Sequence, residues 1–470
     1  MIVLFRGGNM LIKRLKVKEL HGLYDYDVTF NDDLTFIFGE NGCGKTTILN
    51  IVSSIVTGKL YNLFGYSFKE ISLQYCKNAS GPYNTIKIMS DGNSYDLSLN
   101  ETTLNERIDD IEQAKDLYTR AEDAISADRN FFIKYNFARF LKNEFNYIFL
   151  PLSRNSQDGF DYSDSMIYRR RRSYYYYYDR DFINKNYLND SLRYVEEIVR
   201  TGCIKVSSAE NKIDAKFRKN ILTSSLKISS TYDLSGLLSS IRNPKTQTGI
   251  EKNKAEYIKT LTALGEINED TNENIDSFFK KYQAALEEAR GDKDSRHSPL
   301  TIEFLLMDVE FNRIKEIAAQ AQKIEAEKEQ VRMPITSFLE TVNGFLNIGT
   351  EKKKVKIKEG KIVIEAEMPH REISLYDLSS GEKQIVIIFA CLAFGLSAEQ
   401  SGIYIIDEPE ASLHLAWQKK FVESIKKVNS SIQLIFATHA PEIIGRYSSS
   451  AVRLKKMVSP SVVYEEVNDD

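Results

Sequence analysis

Apolar and polar residues alternate over residues 11–38 in the two-residue period that predicts β-strands. The last of these stretches, Leu34–Phe38, is almost wholly apolar and predicts a buried strand that runs directly into the glycine-rich segment 39–44. Beyond that segment the period changes to that of a helix, with apolar residues at Ile48, Ile51, Val52 and Ile55. The pattern predicts strand, glycine-rich loop and helix in that order.

Further apolar runs predict strands at Tyr147–Leu152, Gly402–Asp407 and Ile432–Thr438. Residues 353–364 alternate on both sides of Glu359-Gly360, which predicts a β-hairpin. We expect a mixed α/β fold from these strands and the helices between them.

Residues 185–345 are mostly polar with helical periodicity. Two long helical segments are predicted, at about 251–290 and about 299–332. The second carries an apolar stripe at spacings of three and four, formed by Ile314, Ile317, Ala318, Ala321 and Ile324. We expect an antiparallel helical hairpin that is too short for a long coiled-coil arm.

Composition describes an ordinary globular chain of 470 residues with 42% hydrophobic and 27% charged residues. The net charge of −3 gives no support for non-specific binding to nucleic acid. No apolar run reaches the roughly 18 residues of a membrane span, and no membrane partner is expected. The four cysteines show no metal-ligand spacing, so we expect a reduced, cytoplasmic setting; they are Cys43, Cys76, Cys203 and Cys391.

The segment Gly39–Thr46, GENGCGKT, fits the phosphate-loop pattern G-x-x-x-x-G-K-[ST] without a mismatch. Glycines let backbone N–H groups turn towards a phosphate, where larger side chains would collide. We expect Lys45 to reach the β- and γ-phosphates of ATP and the Thr46 hydroxyl to ligate Mg²⁺. The predicted nucleotide-binding residues of this segment are Gly39, Asn41, Gly42, Cys43, Gly44, Lys45, Thr46 and Thr47. The competing interpretation is a fortuitous glycine turn.

Two later strands end in residues suited to phosphate hydrolysis. Asp407 ends one strand and is predicted to hold Mg²⁺ with Thr46, while Glu408 is predicted to polarise the attacking water. His439, which follows the next strand 31 positions after Glu408, could steady that water at the γ-phosphate. With Lys45, Glu408 and His439 form the predicted catalytic set. Solvated acids at a strand end and a structural histidine are the alternatives.

The segment Leu378–Gln384, LSSGEKQ, lies 332 positions after Thr46. A Ser-Ser-Gly turn that opens a helix is an anion site, because the first N–H groups of the helix have no partners of their own. The alternative is a simple helix cap in which Ser379 and Glu382 form a capping box.

The segments GENGCGKTT, LSSGEKQ, IIDEPEASLH and FATHAPE together resemble the ABC-type ATPases of the SMC/RecF class. This resemblance implies an α/β ATPase head, with a phosphate-loop core and a mixed sheet, split by a mainly helical insertion. The predicted parts are an N-terminal part of the head, the insertion and a C-terminal part of the head, at residues 1–150, 151–345 and 346–470.

In that family, ATP is held between the heads of two subunits. The resemblance implies a head-to-head dimer or a higher homo-oligomer of this chain. Ser379 and Gly381 would then contact the γ-phosphate of the partner's ATP, while Ala411 and Ser412 would lie in the loop between subunits.

Within the class, the chain looks most like ATPases of the overcoming-lysogenisation-defect group and their relatives in anti-phage systems. Stand-alone ATPases of this design resemble the AriA subunit of PARIS and, second, the PtuA subunit of Septu. Only 31 residues follow His439, too few for a Toprim nuclease. The resemblance therefore implies a separate effector, such as a Toprim or HNH nuclease, and a phage protein as trigger.

The tract Arg169–Tyr178 contains four arginines and five tyrosines. Three interpretations stay open: a nucleic-acid surface, a docking site for a protein, or a loop packed on the insertion. Arg154 and Gln157 are candidates for the start of the Q-loop of such ATPases.

Three functions remain open at this point. The first is an ATPase that hydrolyses ATP and controls a separate effector in phage defence. The second is a scaffold in which ATP is a structural clamp with negligible turnover, and the third is a RecF-like DNA-repair ATPase that binds DNA directly.

Overall fold

The computed structural model describes residues 10–77, 79–101, 103–111, 130–145, 147–151, 187–225, 246–263, 269–291, 302–348, 351–367, 370–395 and 402–460. Its contacts divide the chain into two compact units. One unit joins Met1–Cys203 to Pro334–Asp470, and the other is Ile204–Met333. The arginine–tyrosine tract Arg169–Tyr178 and the Q-loop candidates Arg154 and Gln157 lie outside the described residues.

The strands are β1 Leu11–Leu20, β2 Tyr24–Thr29, β3 Leu34–Phe38, β4 Glu70–Cys76, β5 Tyr83–Ser90, β6 Tyr95–Leu99, β7 Leu104–Ile108, β8 Tyr147–Pro151, β9 Lys353–Lys358, β10 Lys361–Ala366, β11 Arg371–Ile373, β12 Ile403–Asp407, β13 Gln433–Ala437, β14 Ala451–Arg453 and β15 Met457–Val458. The helices are α1 Lys45–Thr57, α2 Asn136–Glu144, α3 Tyr187–Ser225, α4 Thr246–Ala263, α5 Glu269–Gly291, α6 Ile302–Leu346, α7 Ser380–Ala390, α8 Leu415–Val428 and α9 Pro441–Ile444.

The first unit is built on a parallel and an antiparallel sheet. The parallel sheet has the strand order β14-β3-β13-β12-β8. The antiparallel sheet has the order β15-β2-β1-β4-β5-β6-β7, and a third, small sheet has the order β11-β10-β9. The strand pairing of β9 with β10 confirms the predicted hairpin at residues 353–364.

The strands β3, β12 and β13 of the parallel sheet each contribute to two cores, because successive side chains of a strand point to opposite faces. In β12, Ile403 and Ile405 lie in the core that contains α1 and the antiparallel sheet. Tyr404 and Ile406 lie in the core that contains α7 and α8. Burial on both faces explains why these strands are uninterrupted apolar runs in the sequence.

Strand order brings the predicted site residues to one edge of the parallel sheet. β13 lies between β3 and β12, and all three run in the same direction. The glycine-rich loop, His439 and Asp407 therefore leave the carboxyl ends of three neighbouring strands, where ligands bind in open α/β sheets. Neighbouring strands lie about 4.8 Å apart, so these three segments are within reach of one ligand.

The second unit is helical and has its own small core. Phe279 and Tyr282 of α5 pack against Phe311 of α6, and Ile250 of α4 joins them. The predicted first segment, 251–290, consists of two helices, which pack side by side through an ion pair of 2.8 Å between Lys254 and Asp276. Gly265, a poor helix former, lies between them in the sequence.

The predicted fold class, α/β with parallel and antiparallel sheets and a helical insertion, is confirmed. Across the described ranges, no helix combines the length and the apolar character that a bilayer crossing requires.

Candidate active site

The loop between β3 and α1 depends on glycine backbone conformations. Gly42 and Gly44 adopt φ values of 75° and 98°, in the left-handed region that glycine tolerates best. A Cβ atom on Gly44 would also lie 2.8 Å from the hydroxyl oxygen of Tyr26. That hydroxyl donates a hydrogen bond of 3.1 Å to the carbonyl of Cys43. Tyr26 thus supports the loop from β2, and the local sequence of the loop gives no sign of it.

The helix α1 begins at Lys45, directly after this loop. Its N-cap is Gly44, which has no side chain to accept from the first N–H groups of the helix, so these remain free for an anion. The ammonium group of Lys45 donates to the carbonyl oxygens of Gly39 at 2.9 Å and Glu40 at 3.1 Å. The loop is therefore folded around the lysine that is predicted to bind the phosphates.

The carboxylate of Asp407 is only 2% exposed at the end of β12. The hydroxyl of Thr46 lies close to it, while its Oδ1 atom is buried without a hydrogen-bond partner among the described residues. Burial, with the nearby charges of Glu408 and Glu410, raises the pKa of Asp407 to about 6, although Thr46 and Lys45 oppose the shift. A buried carboxylate oxygen that lacks a partner and lies beside a hydroxyl fits a hard cation such as Mg²⁺.

Glu408 occupies a strained position at the carboxyl end of the same strand. Its φ of 47° is left-handed, which costs a residue with a side chain about 1 kcal/mol or more. Its N–H donates to the carbonyl of Ala437 at 2.9 Å, so the bend is fixed against β13. The short helical turn Pro409–Ser412 follows immediately. Such strain is found preferentially at functional sites.

His439 lies in the loop after β13, and its side chain is exposed. Its backbone N–H donates to Oε1 of Glu410 at 2.6 Å. Thr438 before it is fully buried and accepts from the N–H of Ala440. The backbone on both sides of His439 is thus fixed, while the imidazole is accessible.

The Ser-Ser-Gly turn of the segment LSSGEKQ opens α7 with a complete capping box. Ser379 accepts from the N–H of Glu382, and the N–H of Ser379 donates to Glu382 at 2.8 Å. Lys353 from β9 donates to both oxygens of the Glu382 carboxylate, at 2.8 and 3.0 Å. The hydroxyl of Ser379 accepts in this box, and a serine hydroxyl can also donate one hydrogen bond, for which an anion would be an acceptor. The cap and the predicted anion site are therefore compatible.

The same helix lies against the turn Pro409–Ser412. A Cβ atom on Gly381 would lie 2.4 Å from the carbonyl oxygen of Ser412, so only glycine permits this approach. Gln384, which is buried, donates to the carbonyl oxygen of Pro409 at 3.2 Å.

The predicted site residues fall into two groups. The structure brings the glycine-rich loop, Asp407, Glu408 and His439 together at one sheet edge, whereas Ser379 and Gly381 lie on α7. None of the hydrogen bonds found in the described part of the chain joins those two to the glycine-rich loop. Asn41, Gly42 and Thr46 are exposed, as are Ser379 and Ala411, while Cys43 and Thr47 are half-buried.

Sequence reasoning missed four residues that shape the site: Tyr26, Lys353, Gln384 and Glu410. Glu410 had a signal, since it stands two positions after Glu408 in the same motif. Tyr26 and Lys353 act from strands distant in sequence and had none.

The family model described as an AAA ATPase domain matches residues 10–444 of this chain. Two curated relatives are the probable ATPases of retron Vc95 from Vibrio cholerae serotype O1 biovar El Tor and of retron Ec83 from Escherichia coli. The first is 26% identical over 159 residues, which is 27% of this chain and 30% of the relative. The second is 27% identical over 111 residues, which is 22% of this chain and 20% of the relative. The match thus spans less than a third of either relative.

Among solved structures, the Smc head domain bound to the C-terminal domain of ScpA from Pyrococcus furiosus covers 98% of this chain and 99% of its own, with 14% identity and a TM-score of 0.39. The SMC head domain from Thermotoga maritima covers 96% and 98%, with 12% identity and a TM-score of 0.35. At scores this low, neither likeness carries an argument.

Proposed function

The chain belongs to the AAA ATPase domain family, and we propose that it binds and hydrolyses ATP as an ABC-class ATPase whose heads pair around the nucleotide. The observation that carries the proposal is the buried Asp407, whose Oδ1 atom has no hydrogen-bond partner in the described residues, beside Thr46 at the start of the phosphate-binding helix. A cation there satisfies the oxygen and offsets the charge that burial disfavours.

In this proposal, the glycine-rich loop and the N-terminus of α1 bind the phosphates through backbone N–H groups. Lys45 exchanges its bonds with the carbonyls of Gly39 and Glu40 for bonds with the β- and γ-phosphate oxygens. Thr46 and Asp407 hold the Mg²⁺, which when bound neutralises phosphate charge. Such pre-arranged electrostatics supply most of the catalysis in phosphoryl transfer.

Glu408 accepts a proton from the attacking water, and His439 steadies that water. Ser379 and Gly381 of a second subunit complete the site. Ser379 is the exposed N-cap of α7, and Gly381 lies in the first turn of that helix. The capping box places Ser379 at the exposed N-terminus of α7, from which its hydroxyl would donate to the γ-phosphate.

Glu408→Gln tests the chemistry. The variant should retain ATP and slow hydrolysis by about 10²–10⁴-fold, because the amide cannot accept the proton. Binding is measured with a fluorescent ATP analogue and turnover by phosphate release. The matched control is Glu423→Gln, which changes a 66% exposed carboxylate on α8 and should hydrolyse ATP normally. Unchanged turnover in Glu408→Gln removes this residue from the mechanism.

The same variant tests pairing of the heads, because it should hold ATP without consuming it. Sedimentation with saturating ATP and Mg²⁺ should show at least twice the monomer mass, and removal of ATP should return the monomer. A monomer at saturating ATP contradicts the paired site.

We further propose that the paired heads control a separate effector in anti-phage defence, with a phage protein as trigger. Support comes from the motif resemblance to stand-alone defence ATPases such as AriA and PtuA. The relatives named as retron ATPases match this chain only in part. The helical part of the chain is proposed as the region that recognises the effector. A neighbouring reading frame for a Toprim or HNH nuclease would support this, and co-purification of its product with the full chain would test it.

A further inference from the structure

Two contacts hold the turn Pro409–Ser412, one made by the side chain of Gln384 and one by that of Glu410, and the proposed chemistry uses neither side chain. The turn follows Glu408 directly, so its position determines where the predicted base lies. On one side it contacts α7, the helix that begins after Ser379, and on the other side it contacts the loop that carries His439.

The contact with the His439 loop is made by Glu410. Its Oε1 atom accepts from the His439 N–H at 2.6 Å, a short bond of the kind that a charged acceptor forms. Its Oε2 atom is buried without a hydrogen-bond partner in the described part of the chain. A carboxylate with one buried, unpaired oxygen destabilises the fold, so the presence of a glutamate at this position needs an explanation.

The contact with α7 leaves the turn little freedom. Gln384 donates to the Pro409 carbonyl at 3.2 Å, and Gly381 lies so close to the Ser412 carbonyl that a single added carbon would collide with it. The position of the turn is therefore fixed relative to α7. Through Glu410, the backbone of His439 is fixed relative to the turn.

We propose that Glu410 is a positioning residue for ATP hydrolysis, which fixes the His439 backbone to the turn after Glu408 so that the imidazole and the Glu408 carboxylate keep one spacing. The inference rests on the proposed function, because it requires His439 and Glu408 to act on ATP. It also links the loop of His439 to α7, whose N-terminus would contact the partner's ATP.

Three variants of Glu410 separate geometry from charge. Glu410→Gln keeps an oxygen at the same distance and removes the charge, so kcat should stay within about 5-fold of the natural chain. Glu410→Asp keeps the charge on a shorter side chain, and Glu410→Ala removes the acceptor. Both should lower kcat by about 10–100-fold, the range for loss of a hydrogen bond to a charged group, with KM within about 3-fold. If Glu410→Gln loses activity while Glu410→Asp retains it, the proposal is overturned, because kcat would then depend on the negative charge and not on the position of the acceptor oxygen.

A double-mutant cycle shows whether Glu410 acts through His439. His439→Ala should lower kcat, and Glu410→Ala added to it should lower kcat by no more than about 2-fold further. A further loss equal to that of the single Glu410→Ala variant overturns the inference. Normal kcat in His439→Ala refutes instead the role that the proposed function gives to the imidazole, so the two failures are distinct.

Folding is checked in every variant by urea unfolding followed through Trp417, the single tryptophan, which is buried in the core with α7 and α8. If Glu410→Ala does not fold, two other measurements test the proposal. They are the kcat of Glu410→Gln compared with that of Glu410→Asp, and the double-mutant cycle of Glu410→Asp with His439→Ala. Glu423→Ala, which removes an exposed carboxylate of α8, is the control and should retain kcat.

Discussion

Replacement of Asp407 by asparagine should remove a pH-dependent cost of folding from the nucleotide-free protein and should abolish ATP hydrolysis. Burial raises the pKa of this carboxyl from 3.8 to about 6, so the folded chain favours the protonated acid. Each tenfold change in proton affinity corresponds to about 1.4 kcal/mol, and the ionised carboxylate therefore costs folding about 3 kcal/mol well above pH 6. The cost is absent below about pH 3, where the group is protonated in both states, grows as the pH rises from the unfolded pKa of 3.8 to the folded pKa of about 6, and is constant above it.

Asparagine removes this charge but places an amide donor where Oδ1 now lacks a partner among the described residues. An unsatisfied donor costs about 1–3 kcal/mol at every pH, so the decisive quantity is the change with pH. The free energy of unfolding of Asp407→Asn, minus that of the natural chain, should rise by about 3 kcal/mol between pH 3 and pH 8.

The assay is urea unfolding in EDTA without nucleotide, followed by the fluorescence of Trp417. Glu423→Gln serves as the control, because its carboxylate is 66% exposed, and its difference from the natural chain should not change with pH in this way. A pH-independent difference for Asp407→Asn refutes the reasoning that burial destabilises the ionised carboxylate.

The effect of ligand should have the opposite sign. With Mg²⁺ and ATP at about 100 times the dissociation constant, the natural chain should gain about 2.7 kcal/mol. Asp407→Asn should gain much less, because it lacks the anionic ligand for the metal. An equal gain in both proteins would show that Asp407 does not hold the metal.

Gly381→Ala should lower the free energy of unfolding by about 1–3 kcal/mol and weaken ATP-dependent pairing, because its Cβ would lie 2.4 Å from the Ser412 carbonyl. Gly344→Ala on α6 is the control, because an added Cβ atom has no neighbour there, and this variant should be neutral or more stable by up to about 1 kcal/mol. Equal urea midpoints for the two variants would show that an added Cβ atom at Gly381 is not crowded. Lys353→Met should cost about 3 kcal/mol at pH 7, because it removes the cation paired with the largely buried Glu382 carboxylate, and adding Glu382→Gln should restore most of it. Because Lys353 lowers the pKa of Glu382, this loss should shrink below about pH 4, and a constant loss would contradict it.

The parts of the site that sequence reasoning could predict are those with local causes. The phosphate loop requires glycines and a lysine at fixed spacing, and Asp407 and His439 each follow an apolar run that only a buried strand explains. The capping box at Ser379 is also local, since its two partners are three residues apart. Predictions of this kind depend on the geometry of a few consecutive residues.

Contacts between distant segments could not be predicted in this way. Tyr26 supports the glycine-rich loop from another strand, and Lys353 pairs with Glu382 from a different sheet. The first helical segment of the insertion also forms two helices, α4 and α5, whose apolar residues share one small core with α6. Each contact depends on how strands and helices are arranged, and no residue pattern records that arrangement.

Residue patterns alone predicted the phosphate loop, the acids and the histidine after the later strands, and a helical insertion. The position of β13 between β3 and β12, which brings these segments to one edge of the sheet, followed only from the packing of the strands. The tertiary structure also decided that Asp407 is buried with an unpaired oxygen and that Glu410 holds the loop of His439. The physical reason is that local patterns determine the period of burial along a chain, whereas the pKa of a carboxylate and the partner of a hydrogen bond depend on every segment that packs around it.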